Sequence, residues 1–219
     1  VDATHAGQGY LALPDASQGP GVLVLHSWWG LTPFFRQVCD RLAEEGFVAL
    51  APDLLEGRTP AGVAEAEEVL RDADANELAH LTRSSLHTLR ELPVTAEGPL
   101  GVVGWSMGGS LALWLSARVP QAVGATCAFY AGQDIDFVES SSAYLGHYAE
   151  EDPFVDDDGL VLLEADLHLL GLDTTFHRYP GTRHWFFEAD RPEHDPEAAA
   201  LAWSRTLAFL HHHLDSASR

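Results

Sequence analysis

The sequence predicts an α/β fold, with residues 1–219 forming a single domain that has a mostly parallel central sheet, helices on both faces and no large cap. Three observations carry this expectation. Short, wholly apolar runs alternate with amphipathic stretches along the chain, and such alternation builds right-handed βαβ units around a parallel sheet. The chain is long enough to bury one full core, yet leaves no stretch unassigned that would make a cap. A glycine-rich turn, Gly104-Trp105-Ser106-Met107-Gly108-Gly109, joins one apolar run directly to one helical pattern.

Gly21-Val22-Leu23-Val24-Leu25 is continuous and apolar, as a strand covered on both faces must be. Phe34, Phe35, Val38, Cys39 and Leu42 then recur at helical spacing up to Glu45, and Gly46 supplies the stop. Phe47 to Ala51 is the next strand, closed by Pro52. Pro60 to Leu92 reads as one broken helix or two, with Asn76 as a cap between them. Leu100 to Val103 is a strand running into the glycine-rich turn, and Ser110 to Leu115 continues as a helix. Strands follow at Ala125 to Tyr130 and Ala143 to Tyr148, a helix at Gly159 to Leu170 and a last strand at Thr174 to Tyr179. Pro196 to Leu214 closes the chain as a helix with Trp203, Leu207, Leu210 and Leu214 on one face.

A formal charge of −21 argues against nucleic-acid and anionic-membrane partners, which need a basic face. All 12 basic residues are arginine, so lysine Schiff-base chemistry and a P-loop lysine are excluded. Cys39 and Cys127 make no disulfide framework and read as small buried hydrophobes. No apolar run approaches membrane-spanning length and the N-terminus carries no signal-like segment, so a cytoplasmic enzyme of unspecified oligomeric state is expected.

Gly-x-Ser-x-Gly at a strand-to-helix turn is the nucleophile elbow, which holds a serine on a sharp, strained bend. The pentapeptide alone is weak: the composition of this chain gives roughly 0.1 chance matches. The flanking strand and helix are what lend it weight, against the plain alternative of a βα turn with a bystander serine. A serine hydroxyl needs a base within hydrogen-bond reach and a carboxylate to orient that base. On such a sheet they follow in the order Ser, Asp or Glu, His, each on a loop after a strand. Among 12 histidines His184 meets both conditions, whereas His177 lies inside a strand and His194 in a charged, proline-bounded loop. Asp152 follows the strand ending at Tyr148, while Asp134 and Asp136, after the preceding strand, are its rivals. Asp156, Asp157 and Asp158 read as a solvated helix start. An oxyanion needs two N–H donors. The backbones of Met107 and Trp28 are the candidates, the latter in His26-Ser27-Trp28-Trp29-Gly30. Trp28, Trp29, Trp105 and Trp185 adjoin these positions, either as packing or as an aromatic acyl pocket. No metal or cofactor is expected, because no His-Glu-x-x-His or clustered Cys/His spacing occurs. His211, His212 and His213 are consecutive and cannot all face one ion.

With these residues in place the chain resembles the dienelactone hydrolase family of the α/β-hydrolase fold along most of its length. The matching stretches are 20–31, 46–54, the elbow, 149–154, 179–184 and 205–210. The resemblance implies a single-domain α/β-hydrolase acting on a small ester or lactone through Ser106, Asp152 and His184, with Trp28 and Met107 as oxyanion donors. It implies departures too. The prototypes carry cysteine where this chain has Ser106, and a glutamate touching that cysteine where it has Ser27. They bind a substrate carboxylate through arginines, one of them at the position of Glu188. Ser27, Trp29, Trp105 and Trp185 are therefore the substrate-pocket candidates, and Glu188 is expected to repel a substrate carboxylate unless Arg183 or Arg58 compensates. The fold leaves the acceptor open, so a peptidase, an acyltransferase or a non-catalytic ligand-binding relative are the alternatives.

Overall fold

The computed structural model of the protein describes residues 9–215; the ends of the expected 1–219 domain, including the segment read for a signal, lie outside the described residues. Among the described residues seven strands form one sheet in the order β1-β3-β2-β4-β5-β6-β7. They are β1 (Tyr10–Ala12), β2 (Gly21–Leu25), β3 (Val48–Ala51), β4 (Leu100–Trp105), β5 (Val123–Phe129), β6 (Ala143–Glu151) and β7 (Thr174–Arg183). Only β1 is antiparallel to its neighbour, and at three residues on a sheet edge it left no recognisable pattern in the sequence.

The helices are α1 (Pro33–Glu44), α2 (Val63–Asp72), α3 (Ala75–Glu91), α4 (Met107–Arg118), α5 (Asp157–Leu169) and α6 (Pro196–Leu214). Side chains alternate across β2: Val22 and Val24 meet α1 and α6 through Phe35, Cys39, Trp203 and Leu210 on one face. Leu23 and Leu25 meet α3 and α4 through Leu86, Leu89, Ala112 and Leu115 on the other. This period of two, buried on both sides, is why the strands read as unbroken apolar runs. Both cysteines are buried and unbridged, as expected of small core residues.

Two boundaries differ from the sequence reading in ways that matter. The 60–92 segment is two helices, and the cap of α3 is Asp74, whose side chain accepts from the Asn76 N–H at 2.7 Å; Asn76 is the capped residue rather than the cap. Pro180-Gly181 reads as the end of a strand, yet β7 runs through it to Arg183. Gly181 takes up φ +73°, and its N–H bonds the Glu150 carboxylate at 2.7 Å while the pairing shifts register between Ala149 and Glu151. Beyond the shift, Glu151 pairs with Arg183. The next residues of the two strands, Asp152 and His184, therefore leave the sheet side by side.

Buried histidines tie the scaffold together. His147 Nδ1 lies 2.7 Å from the Tyr179 hydroxyl and Nε2 3.0 Å from Thr206 Oγ1. Burial holds its pKa well below the ordinary value and lowers that of His26 to about 4. A group with a depressed folded-state pKa binds its proton more tightly when unfolded. The stability it contributes is complete above pH 6.5 and is lost as pH falls toward 4, about 3 kcal/mol for His26 alone. Thermal unfolding should show Tm dropping across that window, and His26→Gln should give a shallower slope; equal slopes would contradict the assignment.

Candidate active site

In the sheet β2 lies between β3 and β4, so the chain leaves β2 to one side and β4 to the other. This is the topological switch point of a parallel sheet, where a crevice opens at the carboxyl ends of the strands. The loop after β2 and the turn after β4 face each other across it.

Glycines build that turn by close approach. A Cβ on Gly104 would lie 2.1 Å from the Gly108 carbonyl oxygen, and one on Gly108 would lie 2.1 Å from the Leu25 and 2.5 Å from the His26 carbonyl oxygens. The first turn of α4 is thus pressed against the end of β2. Between these glycines Ser106 has φ +51°, ψ −114°, a strained conformation for a residue with a Cβ. Its N–H bonds the Phe129 carbonyl at 3.0 Å, and Ser110 donates from backbone nitrogen to the Ser106 carbonyl at 2.9 Å. Such strain is retained where the surrounding structure over-determines it, and here it lifts the hydroxyl to the top of the sheet.

His184 Nε2 lies 2.9 Å from Ser106 Oγ, and His184 Nδ1 lies 2.7 and 2.8 Å from the two Asp152 oxygens. The side chains of Asp152 and His184 are almost wholly buried. Asp152 Oδ1 also accepts from the N–H groups of Phe154 (2.9 Å) and Val155 (3.2 Å), so the carboxylate is fixed from behind. The rivals lie elsewhere: Asp136 accepts from the Val138 N–H, and Asp134 lines a cavity against α5. His177 stacks on His147, and His194 Nδ1 donates to the Phe186 carbonyl. His211 and His213 turn to different carboxylates, Asp215 and Asp173.

The loop after β2 is held rigidly. His26 Nδ1 donates to the Ser27 carbonyl (2.7 Å), its Nε2 accepts from the Leu54 N–H (3.0 Å), and Gly30 N–H also bonds the Ser27 carbonyl (3.1 Å). Because the depressed pKa keeps the ring neutral, this donor–acceptor pair persists at neutral pH. Trp28 and Met107 sit on the two segments that Gly108 brings into contact.

Of the aromatic candidates, Trp28, Trp29 and Trp185 pack on one another, and Phe154 joins them beside His184 at a centroid distance of 4.9 Å. Trp185 follows the histidine with φ +69°. Trp105 does not belong to this group. It is fully buried, stacked on Phe129 and edge-on to Phe35, because the residue preceding the elbow still follows the strand alternation and points into the α1/α6 layer. Ser27 is corrected as well. It is buried, and its hydroxyl donates to Glu188 at 2.8 Å instead of facing a cleft.

Glu188 itself is the largest departure from expectation. It is 0% exposed and accepts from Ser27 and, at 2.7 Å, from the Tyr130 hydroxyl. Burial pushes its pKa up to about 8. It cannot meet a substrate carboxylate directly. Phe154, 49% exposed, was missed because a lone aromatic after a strand has no pattern; it walls two cavities, of about 530 and 450 Å³. Arg183 lies in the first of them, paired to Glu151, and Arg58 is an exposed loop residue bonded to the Leu55 carbonyl.

The sheet order, the switch-point crevice and the strained turn define an α/β-hydrolase. Solved structures agree on the fold. A dienelactone hydrolase-like promiscuous phosphotriesterase from metagenomic libraries superposes with a TM-score of 0.80 at 21% identity, covering 91% of this chain and 88% of that one. A model of the dienelactone hydrolase family matches residues 8–214, and the chain belongs to that family. It is 32% identical to Protein usf of Aquifex pyrophilus, over 94% of each chain. It is 28% identical to a carboxymethylenebutenolidase of Pseudomonas sp. strain P51, over 96% of this chain and 92% of that one.

Proposed function

We propose that the protein is a serine-dependent hydrolase of small, uncharged esters or lactones that works through an acyl-enzyme. The observation that carries the reading is the continuous hydrogen-bonded line from Ser106 Oγ through the His184 ring to Asp152, at 2.9 and 2.7 Å. His184 Nε2 takes the Ser106 proton as Oγ attacks the carbonyl carbon, and Asp152 holds the ring and stabilises the imidazolium. The tetrahedral oxyanion lies against the N–H groups of Trp28 and Met107, on the two segments that the close approach of Gly108 brings together. His184 then returns the proton to the leaving alkoxide. A water deprotonated by His184 attacks the acyl-enzyme, releasing the acid and restoring the Ser106 hydroxyl. Membership of a hydrolase family and the carboxymethylenebutenolidase relative support the lactone class.

We read the enzyme as cytoplasmic and without nucleic-acid or membrane partners. A charge of −21 and two unbridged buried thiols support this, and no helix among the described residues is long and apolar enough to cross a membrane. Incubation with a fluorophosphonate probe should label one serine per chain; absence of labelling would favour a non-catalytic binding protein.

Charge at the crevice sets the substrate preference. The cavity that contains His184 is lined by Glu151, Asp152 and Glu193, against Arg183 as the cation, itself paired to Glu151. A substrate carboxylate lacks the charge-assisted contact that an arginine at position 188 would give, a loss of roughly 1.5–3 kcal/mol. The methyl ester of a carboxylate-bearing lactone should therefore exceed the free acid in kcat/KM by about tenfold to a hundredfold. A clear preference for the acid would reinstate dienelactones as substrates.

A further inference from the structure

Three crevice loops converge on one carboxyl group that the chemistry above does not use. Glu188 is on the loop after β7, four residues beyond His184. Its Oε2 accepts from Ser27 on the loop after β2, and its Oε1 from Tyr130 at the end of β5. Each partner adjoins a reacting group. Ser27 directly precedes Trp28, and the peptide that carries the Trp28 N–H is tied at its carbonyl by His26 and Gly30 and through the Ser27 side chain by Glu188. The Tyr130 ring packs on the His184 ring with centroids 4.7 Å apart, and the residue is held at φ +37° with its N–H on the His147 carbonyl at 2.7 Å. Glu188 is anchored in turn by its own backbone, donating to the Trp185 carbonyl and accepting from the Arg191 N–H, both at 2.9 Å.

A buried carboxyl is costly unless its hydrogen bonds are met, and removing a partner leaves that cost exposed. A group of this kind enforces one arrangement of whatever it touches. Here its partners are two hydroxyls from different loops, while the nearest guanidinium in sequence, that of Arg191, stacks on the Trp29 ring at 4.5 Å. We propose that Glu188 is a positioning residue whose carboxyl locks the Trp28 peptide and the His184 ring in their reacting geometry. This rests on the assignment of Ser106, His184 and the Trp28 N–H made above.

Ser27→Ala and Tyr130→Phe each delete one hydroxyl without adding volume, and Glu188→Leu deletes both bonds. An oxyanion donor or a base displaced by a fraction of an ångström costs rate and leaves substrate binding in place. Glu188→Leu should lower kcat about tenfold to a hundredfold, with KM changed less than about twofold. Glu188→Gln should remain within about threefold of the parent, since the amide accepts from Tyr130 and donates to Ser27 Oγ. Ser27→Ala should lower kcat in the parent and add nothing in the Glu188→Leu background, because its effect runs through the same carboxyl. All values are taken per fluorophosphonate-titrated serine on protein of native circular dichroism. A purely structural role would lower Tm and leave these values unchanged. Parent kcat in both single-hydroxyl variants would overturn the proposal, as would full additivity of Ser27→Ala with Glu188→Leu. Labelling of the parent reports on Ser106 alone and the variants' kcat on Glu188 alone, so the two readings fail separately.

Discussion

Ser106→Ala should leave a folded protein whose ester hydrolysis is lower by about 10³-fold or more. The substitution removes Oγ, the atom 2.9 Å from His184 Nε2, and keeps the Cβ, so the backbone strain at φ +51° is the same in both proteins. No core contact is lost, because what packs the turn is the close approach of Gly104 and Gly108 to backbone atoms. Melting temperature should therefore stay close to that of the parent while kcat collapses. The activity that remains should come from substrate binding and from the oxyanion donors proposed at Trp28 and Met107, which the variant retains. Hydrolysis of p-nitrophenyl acetate at the parent rate by the alanine protein would mean that another residue is the nucleophile.

The second large effect is expected at the carboxylate. Asp152→Asn preserves shape, and the asparagine oxygen can still accept from the Phe154 and Val155 N–H groups. Its NH₂ then faces His184 Nδ1 and donates to it. That forces the proton onto Nε2, the nitrogen that must accept from Ser106. The loss should reach about 10²- to 10⁴-fold in kcat, with little change in KM. Asp134→Asn should change kcat by less than about threefold, because Asp134 lies against α5 and touches neither His184 nor Ser106. Parallel kinetics on the two variants check this, and the reverse ranking would move the acid to the loop after β5.

Much of the scaffold was legible because its signals are local. Val22 to Leu25 and Leu100 to Val103 are apolar without interruption since both faces of the sheet are covered, and Gly46 ends α1 just after the last periodic residue. Ser106, Asp152 and His184 could be picked by chain order and by their places after strands, and the structure brings these three side chains into one hydrogen-bonded line. Chain order left Asp134 and Asp136 as rivals, because which strand end lies beside His184 depends on the register of β6 and β7. That register rests on Gly181 and on the shift at Ala149/Glu151, and neither leaves a mark in composition.

What could not be read was the direction in which side chains point. Trp28 and Trp105 both adjoin proposed catalytic positions in the chain, yet one joins the cluster beside His184 and the other enters the core. Glu188 was expected to meet and repel a substrate carboxylate, whereas it lies buried beneath the site with its pKa raised to about 8. A carboxyl proton held more tightly in the folded than in the unfolded chain makes stability fall as pH rises from about 4.5 to 8. The Tm advantage of Glu188→Gln over the parent should accordingly grow across that interval, which differential scanning calorimetry at several pH values can follow.

The most direct measurement is the mass of the enzyme during turnover. A p-nitrophenyl ester of a slowly released acid, mixed with the protein and quenched in acid within the burst, should add one acyl group per chain. Peptide mapping should then locate that mass on Ser106, and the Ser106→Ala protein should stay unmodified. An acyl group on any other residue, or a full burst of p-nitrophenol with no covalent adduct, would contradict a serine acyl-enzyme.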